Sequence, residues 1–393
     1  DKAKADSENA MTTINTTLTA DARRGVLSTG TVAVDPVMKR MADLYPLPNG
    51  EILGDTGLFV FANDENGTED FVTARFDRDF GDFDRLFARY TFDDGARQDE
   101  TNFALGERTN ATRMQSLVVE ESHAFSASLL NAARVGVVRS FTASGQTTTK
   151  VAATDDPSLA FLPGGQTIGF IEVAGISDFP GGTGSLDSDL HVLTSFQGSN
   201  DLTWVTRRHT VKVGGRLERT RFTTDSQNRV SGEYRFLGLR QFLGNVPEIF
   251  RAQLPGSDTV RGWRQWNSAL YVQDKWRIAS RLTMDLGLRY EWASAPREVN
   301  GKVSNLDELT SVAMRVGDPL FENPSLRNFA PRAGLAWDLW GDGGTVLRSG
   351  YGVYPDLILS PYLLLFGVRN PPFFQRGSTS ALGPGDFPKG GYA

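Results

Sequence analysis

Between residues 282 and 292 the chain alternates without a break. Leu282, Met284, Leu286, Leu288, Tyr290 and Trp292 fall in one phase; Thr283, Asp285, Gly287, Arg289 and Glu291 fall in the other. A period of two with one wholly apolar face and one polar face predicts a long β-strand dividing water from an oily phase. That phase is either a protein core or a lipid bilayer, and the choice decides the function. The pattern occurs twice: strand, tight polar turn, strand, in YVQDKWRIASRLTMDLGLRYEW (271–292) and again in APRAGLAWDLWGDGGTVLRSGYGVY (330–354).

Upstream pairs follow the same plan. Residues 71–80 place Val72, Ala74, Phe76 and Phe80 opposite Thr73, Arg75, Asp77 and Asp79, with Arg78 an intruder on the apolar side. A Gly81-Asp82 turn leads to 83–92, where Leu86, Ala88, Tyr90 and Phe92 oppose Arg85, Phe87, Arg89 and Thr91, a hairpin with a tight connection. Further pairs are 113–125 with 129–141, 192–205 with 210–222, and 266–278 with 282–292. The turns inside pairs are short. The links between pairs (93–112, 142–191, 223–264, 293–329) are long and rich in Gly, Pro, Ser and Asp. They hold a strand-like piece at 167–177 and a helix-like one at 236–245. The acidic run NDENGTED (63–70) reads as a solvated turn, with its glycine one position early for an EF-hand register.

Strands of a soluble sandwich usually run about five or six residues, whereas a tilted bilayer-spanning strand needs about 9–11. Short turns on one side and long loops on the other match an outer-membrane barrel. Aromatics at the ends of the apolar phase (Tyr90, Trp276, Tyr290, Trp292, Trp337) suit interfacial girdles. The expectation is an all-β fold: an antiparallel transmembrane β-barrel fragment of about 10–12 long strands. Residues 1–50 are expected as an irregular segment with one short helix at 35–46, capped by Asp35 with Pro36 in its first turn and Val37, Met41 and Leu44 on one face. Residues 51–393 are expected as the partial barrel, without a plug domain or a C-terminal closing strand.

Composition narrows the field. The 393 residues include 41 glycines and no cysteine, which excludes disulfides, thiolate metal sites and cysteine nucleophiles. A net charge of −6 without a basic run argues against a nucleic-acid partner. Mean hydropathy of −0.30 looks soluble, but barrels average out the same way because only every second residue is apolar. The longest apolar run, LILSPYLLLFGV (357–368), is interrupted by Pro361 and falls short of the ~18 residues of a spanning helix. Neither end reads as a natural terminus, so an internal piece of a longer protein is expected.

Little here argues for catalysis, for a cofactor or for a metal. His123, His191 and His209 lie on separate strands or strand ends without ligand spacing. Asp93-Asp94 and Asp155-Asp156 read as solvated loop carboxylates. GDGGTVLRSGYG (341–352) lacks the Gly-Lys-Ser/Thr ending of a phosphate loop and reads as a hairpin turn. The candidate ligand-facing residues are instead the charged phase of the strands: Arg75, Asp77, Arg85, Arg89, Arg216, Glu218, Asp285, Arg289, Glu291, Arg332 and Arg348. In a barrel they line a wet lumen, as ladders that pair across neighbouring strands, dock a plug or pass solute. Phe161, Phe179, Phe250, Phe373 and Phe374 in the loops either grip a ligand or pack the loops together.

YVQDKWRI (271–278), LTMDLGLRYEW (282–292), FAPRAGLAWDLWGDGG (329–344) and TVLRSGYGVY (345–354) resemble the TonB-dependent outer-membrane receptors, in particular the Oar-like branch with an N-terminal carboxypeptidase-regulatory-like domain. YPLPNG (45–50) and RFDRDFGDFDRLFARYTFDD (75–94) resemble that family's first barrel strands. The resemblance implies a large barrel, of the 22-stranded kind with a plugged lumen. Its implied role is import of a scarce solute (siderophore, glycan or peptide-like) across the bacterial outer membrane. Outer-membrane lipid, the plug domain and the TonB system are then the implied partners. A passive porin or adhesion barrel, or a soluble carbohydrate-binding β-protein, are the alternatives.

Overall fold

The computed structural model describes residues 2–149, 151–322, 325–356, 363 and 367–392. Its main element is one large sheet in which eleven strands follow one another in chain order, every neighbour antiparallel. They are β1 (Lys2–Leu18), β2 (Thr56–Phe80), β3 (Asp84–Glu100), β4 (Gly106–Ser126), β5 (Leu129–Thr149), β6 (Ser188–Val205), β7 (His209–Gln227), β8 (Val260–Ala279), β9 (Leu282–Ala293), β10 (Phe329–Asp338) and β11 (Val346–Gly352). No helix among the described residues is long and apolar enough to cross a membrane, which says nothing of strands. Most of the apolar run 357–368 lies outside the described residues.

The connections at one end are tight. β2 and β3 join through residues 81–83, with Gly81 at φ 77°, a left-handed value that costs glycine nothing. At the β10–β11 turn the Asp338 carboxylate accepts from Gly341 N at 2.8 Å and Gly343 N at 3.0 Å. The Gly-rich stretch is therefore a hairpin turn.

Toward the other end the strands run further than the alternation predicts. β2 has 25 residues and β4 and β5 have 21 each. The physical reason is that a strand leaving the oily band has water on both faces, so its side chains lose contrast while its backbone ladder continues. Four expectations are corrected here. The run 63–70 is not a turn but lies within β2, and Asp93-Asp94 lies within β3. Residues 2–18, expected as irregular, form β1 and pair with β2 from Lys2 opposite Val72 to Leu18 opposite Thr56. The first turns of the link 93–112 are also strand, leaving only residues 101–105 between β3 and β4.

The long links fold into a cap. Three helices, α1 (Ala20–Arg23), α2 (Pro36–Leu44) and α3 (Leu239–Leu243), pack with a four-stranded sheet of Arg376–Thr379, Ile249–Gln253, Glu233–Phe236 and Phe170–Val173. α2 starts where Asp35 accepts from Val37 N and Met38 N at 2.8 and 3.2 Å. It buries Met38, Met41 and Ala42 completely, rolled by one residue from the expected Val37–Met41–Leu44 stripe, whose Val37 and Leu44 pack only partly. The cap core holds Tyr45, Phe103, Phe161, Phe179, Tyr234, Phe236, Phe242, Phe250 and Phe387. Edge-on ring pairs recur in it: Phe161 with Tyr234 at 5.0 Å and Phe236 with Phe242 at 5.4 Å between centroids. Each such pair is worth about 0.5–1.5 kcal/mol beyond its burial.

A second, smaller cluster closes the other side. Phe222 and Trp263, opposite each other on β7 and β8, bury against Val303, Leu320 and Leu363. Fully buried Arg261 ties the C-terminal chain to the top of β8, donating to the carbonyls of Asp258, Val260, Gly367 and Val368 at 2.8–3.3 Å.

Candidate functional site: the charged face of the wall

Residues directly opposite in an antiparallel ladder share a face, so the register assigns every wall side chain. One face carries Phe76, Tyr90, Leu117, Val135, Phe196, Val213, Leu217, Leu270, Val272, Leu286 and Leu288. Among the described residues no protein layer covers it: Leu270 is 66% exposed, Val135 62% and Phe76 56%. Tyr90, Trp276, Tyr290, Trp292 and Trp337, the expected girdle aromatics, all lie on this face. A contiguous uncovered apolar surface of this extent is unfavourable in water and fits hydrocarbon.

All eleven sequence candidates lie on the opposite face: Arg75, Asp77, Arg85 and Arg89 on β2 and β3; Arg216 and Glu218 on β7; Asp285, Arg289 and Glu291 on β9; Arg332 and Arg348 on β10 and β11. The expected cross-strand ladder is corrected in part. Three pairs run along one strand instead: Arg75 with Asp77 at 2.7 Å, Arg216 with Glu218 at 3.2 Å and Arg289 with Glu291 at 2.5 Å. Residues two apart on a strand point to the same side, so neighbours along the chain satisfy one another. Arg85 reaches across its hairpin to Asp79 at 2.8 Å. Arg332 stacks 4.4 Å over the Tyr354 ring. Arg89 stands directly opposite Arg75, two like charges side by side.

The structure adds partners that the sequence reading passed over. Arg134 Nε donates to Glu120 at 2.6 Å, and Gln197 and Ser195 both reach Glu218. The Tyr271 hydroxyl donates to Asp201 at 2.6 Å, and Arg75 lies 4.5 Å over the Phe87 ring. Glu120 and Arg134 were not legible: the phase of Glu120 also carries Met114, Val118 and Ala124, and that of Arg134 carries Leu130, Ala132 and Val138, so neither reads as the polar side. Two hollows open on this face. One, about 420 Å³, is lined by Arg75, Arg89, Arg134, Arg216, Gln197 and Phe87; the other, about 790 Å³, by Lys212, Tyr271, Gln273, Asp285, Arg289 and Arg332 among others.

At the long-loop end the same face is covered. Asn15, Thr17, Gln146, Thr224 and Ser226 point that way and are buried beneath cap segments. Asn15 Oδ1 accepts from Phe103 N at 2.7 Å, and Ser185 Oγ donates to Gln146 at 3.3 Å. The loop phenylalanines settle on packing. Phe161, Phe179, Phe250 and Phe374 are at most 4% exposed, and Phe373 receives Arg261 5.3 Å from its ring centre. Phe161, Phe179 and Phe250 belong to the cap core.

The three histidines remain on separate strands, and each finds a partner across the ladder: His191 meets Thr224 Oγ1 at 2.9 Å, His209 meets Asp274 at 2.7 Å, and His123 joins two carboxylates. Asp84, Glu121 and His123 converge on the outward face near the tight turns, with ligand atoms within 4.8 Å of one another. His123 Nδ1 sits 2.5 Å from Asp84 Oδ1. Among the described residues these three could hold a cation, and the contact present is the His123–Asp84 hydrogen bond.

In the cap, Asp178 is half-buried, and desolvation, reinforced by the charge of Glu172, holds its carboxyl above the ordinary carboxylate range. A folded-state pKa above the unfolded one means that the native cap prefers the protonated acid. Its contribution to stability is therefore greatest at low pH and is lost as pH rises from the unfolded pKa through the folded one. Asp178→Asn is expected to raise the cap's resistance to proteolysis at pH 7 and to have no effect near pH 3. Equal proteolysis of both forms at pH 7 would refute this.

A continuous antiparallel wall, apolar and bare outside and charged within, defines a membrane β-barrel with its tight turns on the periplasmic side. The chain belongs to the family described as the outer membrane beta barrel domain, whose model matches residues 4–390. Its place is the bacterial outer membrane. No curated protein matches it. Among solved structures it is similar to the outer membrane transporter YddB from Escherichia coli, at 11% identity and a TM-score of 0.44 over 89% of this chain and 35% of that one. It is similar also to P. aeruginosa FpvA in a complex with a pyoverdine and iron, at 11% identity and a TM-score of 0.44 over 72% and 36%. The translocator domain of the autotransporter NalP from Neisseria meningitidis follows at 9% identity and 0.26, over 75% and 76%. The chain thus spans little more than a third of the length of the two transporters.

Proposed function

We propose that the chain forms part of the wall and cap of a TonB-dependent receptor that imports a scarce anionic solute. The observation that carries this reading is the smaller hollow on the charged face. Four arginines border it, and Arg89 has no carboxylate partner among the described residues while facing Arg75. An excess of guanidinium in this hollow favours carboxylate or phosphate groups of a solute, with bidentate geometry available. The folded cap over the long-loop end supports gated rather than passive passage, since the loops that would frame an open mouth are packed over it. The motif resemblance supplies the energy-coupled mechanism, and the eleven polar-face residues are the proposed solute path.

The experiment is uptake of labelled anionic solutes (a ferric siderophore, an acidic glycan) by cells with and without the protein. Uptake is expected to need the protein and to stop when a protonophore collapses the inner-membrane gradient. Uptake that survives the protonophore would replace this reading with a passive porin. Arg89→Gln is expected to weaken solute binding about tenfold, equivalent to about 1.4 kcal/mol, without lowering the amount of folded protein. Unchanged affinity would remove Arg89 from the path.

A further inference from the structure

The wall arginines differ in their partners, and the difference is not simply one of face: outward Arg113 holds Asp94 at 2.8 Å, while Arg89 on the charged face holds no carboxylate among the described residues. On the charged face, Arg75, Arg85, Arg134, Arg216 and Arg289 each hold a carboxylate within 4 Å. On the outward face, Arg139, Arg219, Arg221 and Arg264 hold none among the described residues. The ladder places Arg139 opposite Thr194, Thr194 opposite Arg221 and Arg221 opposite Arg264, so one lateral line of side chains crosses β5, β6, β7 and β8. Arg219 sits beside that line, opposite both Phe196 and Trp266.

Each of these side chains is held by something uncharged. Arg219 lies 4.9 Å from the Trp266 ring centre and Arg221 5.3 Å from that of Phe196. Arg139 donates to Thr194 Oγ1 at 3.1 Å and Arg264 to the Trp263 carbonyl at 2.8 Å. Arg264 feels the positive charge of Arg219 and Arg221. The one carboxylate acting on it, Glu298, is already committed to the backbone N–H groups of Gly262, Asn300 and Lys302. Four cations of like sign on one outward surface raise one another's energy unless a counter-charge is supplied from outside.

Height along the wall identifies that counter-charge. Arg139 and Arg219 are each the eleventh residue of their strand from the tight-turn end. Ten steps at about 3.3 Å, with strands tilted by roughly 40°, climb about 25 Å, which is the height of the apolar band of such a barrel. By the same count Arg221 is the thirteenth residue of its strand and Arg264 the sixteenth, so the line starts at the upper rim of the band and rises beyond it on the long-loop side. There the neighbouring lipid of a bacterial outer membrane is lipopolysaccharide, and its lipid A phosphates lie at the boundary between acyl chains and sugars. We propose that Arg139, Arg219, Arg221 and Arg264 form a binding site for the phosphates of lipid A in the outer leaflet. The arginine stems lie along the apolar wall while their guanidinium groups reach the headgroup plane, and forked donors match phosphate oxygens. The site is independent of what passes through the lumen.

The test is thermal stability of the purified full-length protein in a zwitterionic detergent, titrated with defined lipids. Phosphorylated lipid A is expected to raise the melting temperature and to bind at least tenfold more tightly than enzymatically dephosphorylated lipid A. Inorganic phosphate and phosphatidylglycerol at the same phosphate concentration are expected to produce no comparable shift. The combined variant R139Q/R219Q/R221Q/R264Q is expected to lose at least tenfold in affinity for phosphorylated lipid A. Equal binding of the dephosphorylated lipid to the unsubstituted protein would overturn the proposal without any variant having to fold. So would an equal response to inorganic phosphate or phosphatidylglycerol, or a folded quadruple variant that binds unchanged.

Discussion

Leu288→Arg should reduce the folding stability of the wall in lipid bilayers by about 2–4 kcal/mol, the cost of an arginine on the lipid face near mid-depth. Leu288 is 44% exposed and stands between Val272 and Pro331 on the neighbouring strands, all on the outward face. The next residue, Arg289, is already an arginine, and it rests beside Glu291 on the charged side. The same side chain is thus native at one position and expelled at its neighbour. That contrast exists only if the two sides of the strand meet different solvents. Gln273→Arg, on the charged face opposite Gly287, is expected to change stability by less than about 0.5 kcal/mol. Denaturant titration of protein folded into phospholipid vesicles, followed by tryptophan fluorescence, measures both. Similar losses for the two variants would contradict the assignment of the faces.

The second large effect belongs to the cap. Phe236→Ala should destabilise it by about 3–5 kcal/mol, the usual cost of emptying a buried phenylalanine site. Phe236 is fully buried and touches Tyr234, Phe242 and Phe387 through ring contacts at 5.4–6.4 Å. The cap has its own core, while the wall is held by a continuous ladder of backbone hydrogen bonds, so the two should fail separately. Limited proteolysis is expected to cut the variant within the links that build the cap. The heat resistance of the barrel on electrophoresis is expected to be retained. Loss of both together would mean that cap and wall form one cooperative unit.

How much of this was legible in the sequence follows from where the solvent changes. Within the oily band each strand separates lipid from a polar interior, so Leu282 to Trp292 announce their faces residue by residue. The same parity correctly grouped Arg75 with Arg89, although they come from different strands, and Arg216 with Glu218 along one strand. Above the band the contrast fades. Asn63 to Asp70 carry charge on both faces and read as a loop, yet they ladder with β1. β1 was illegible for the same reason, since Lys4, Asp6 and Glu8 occupy the side that would have to be apolar to be noticed. The cap lay further out of reach. Its core assembles Tyr45, Phe103, Phe161, Tyr234 and Phe387 from five distant segments, and no local pattern encodes such a meeting. The helix at 35–46 was visible because its cap, its proline and its stripe are all local. Its roll by one residue was not, because the partner surface decides which methionines go inward.

The absence of cysteine permits the most direct test of the central claim, that the apolar face borders lipid and the charged face borders water. Single cysteines placed in turn at each position from 282 to 292, in otherwise unaltered protein in outer membranes, can be probed with a charged, water-soluble maleimide. The account predicts strict alternation: reaction at 283, 285, 287, 289 and 291, and protection at 284, 286, 288 and 290, where a nitroxide lipid instead quenches an attached fluorophore. Uniform labelling, or alternation in the opposite phase, would contradict it.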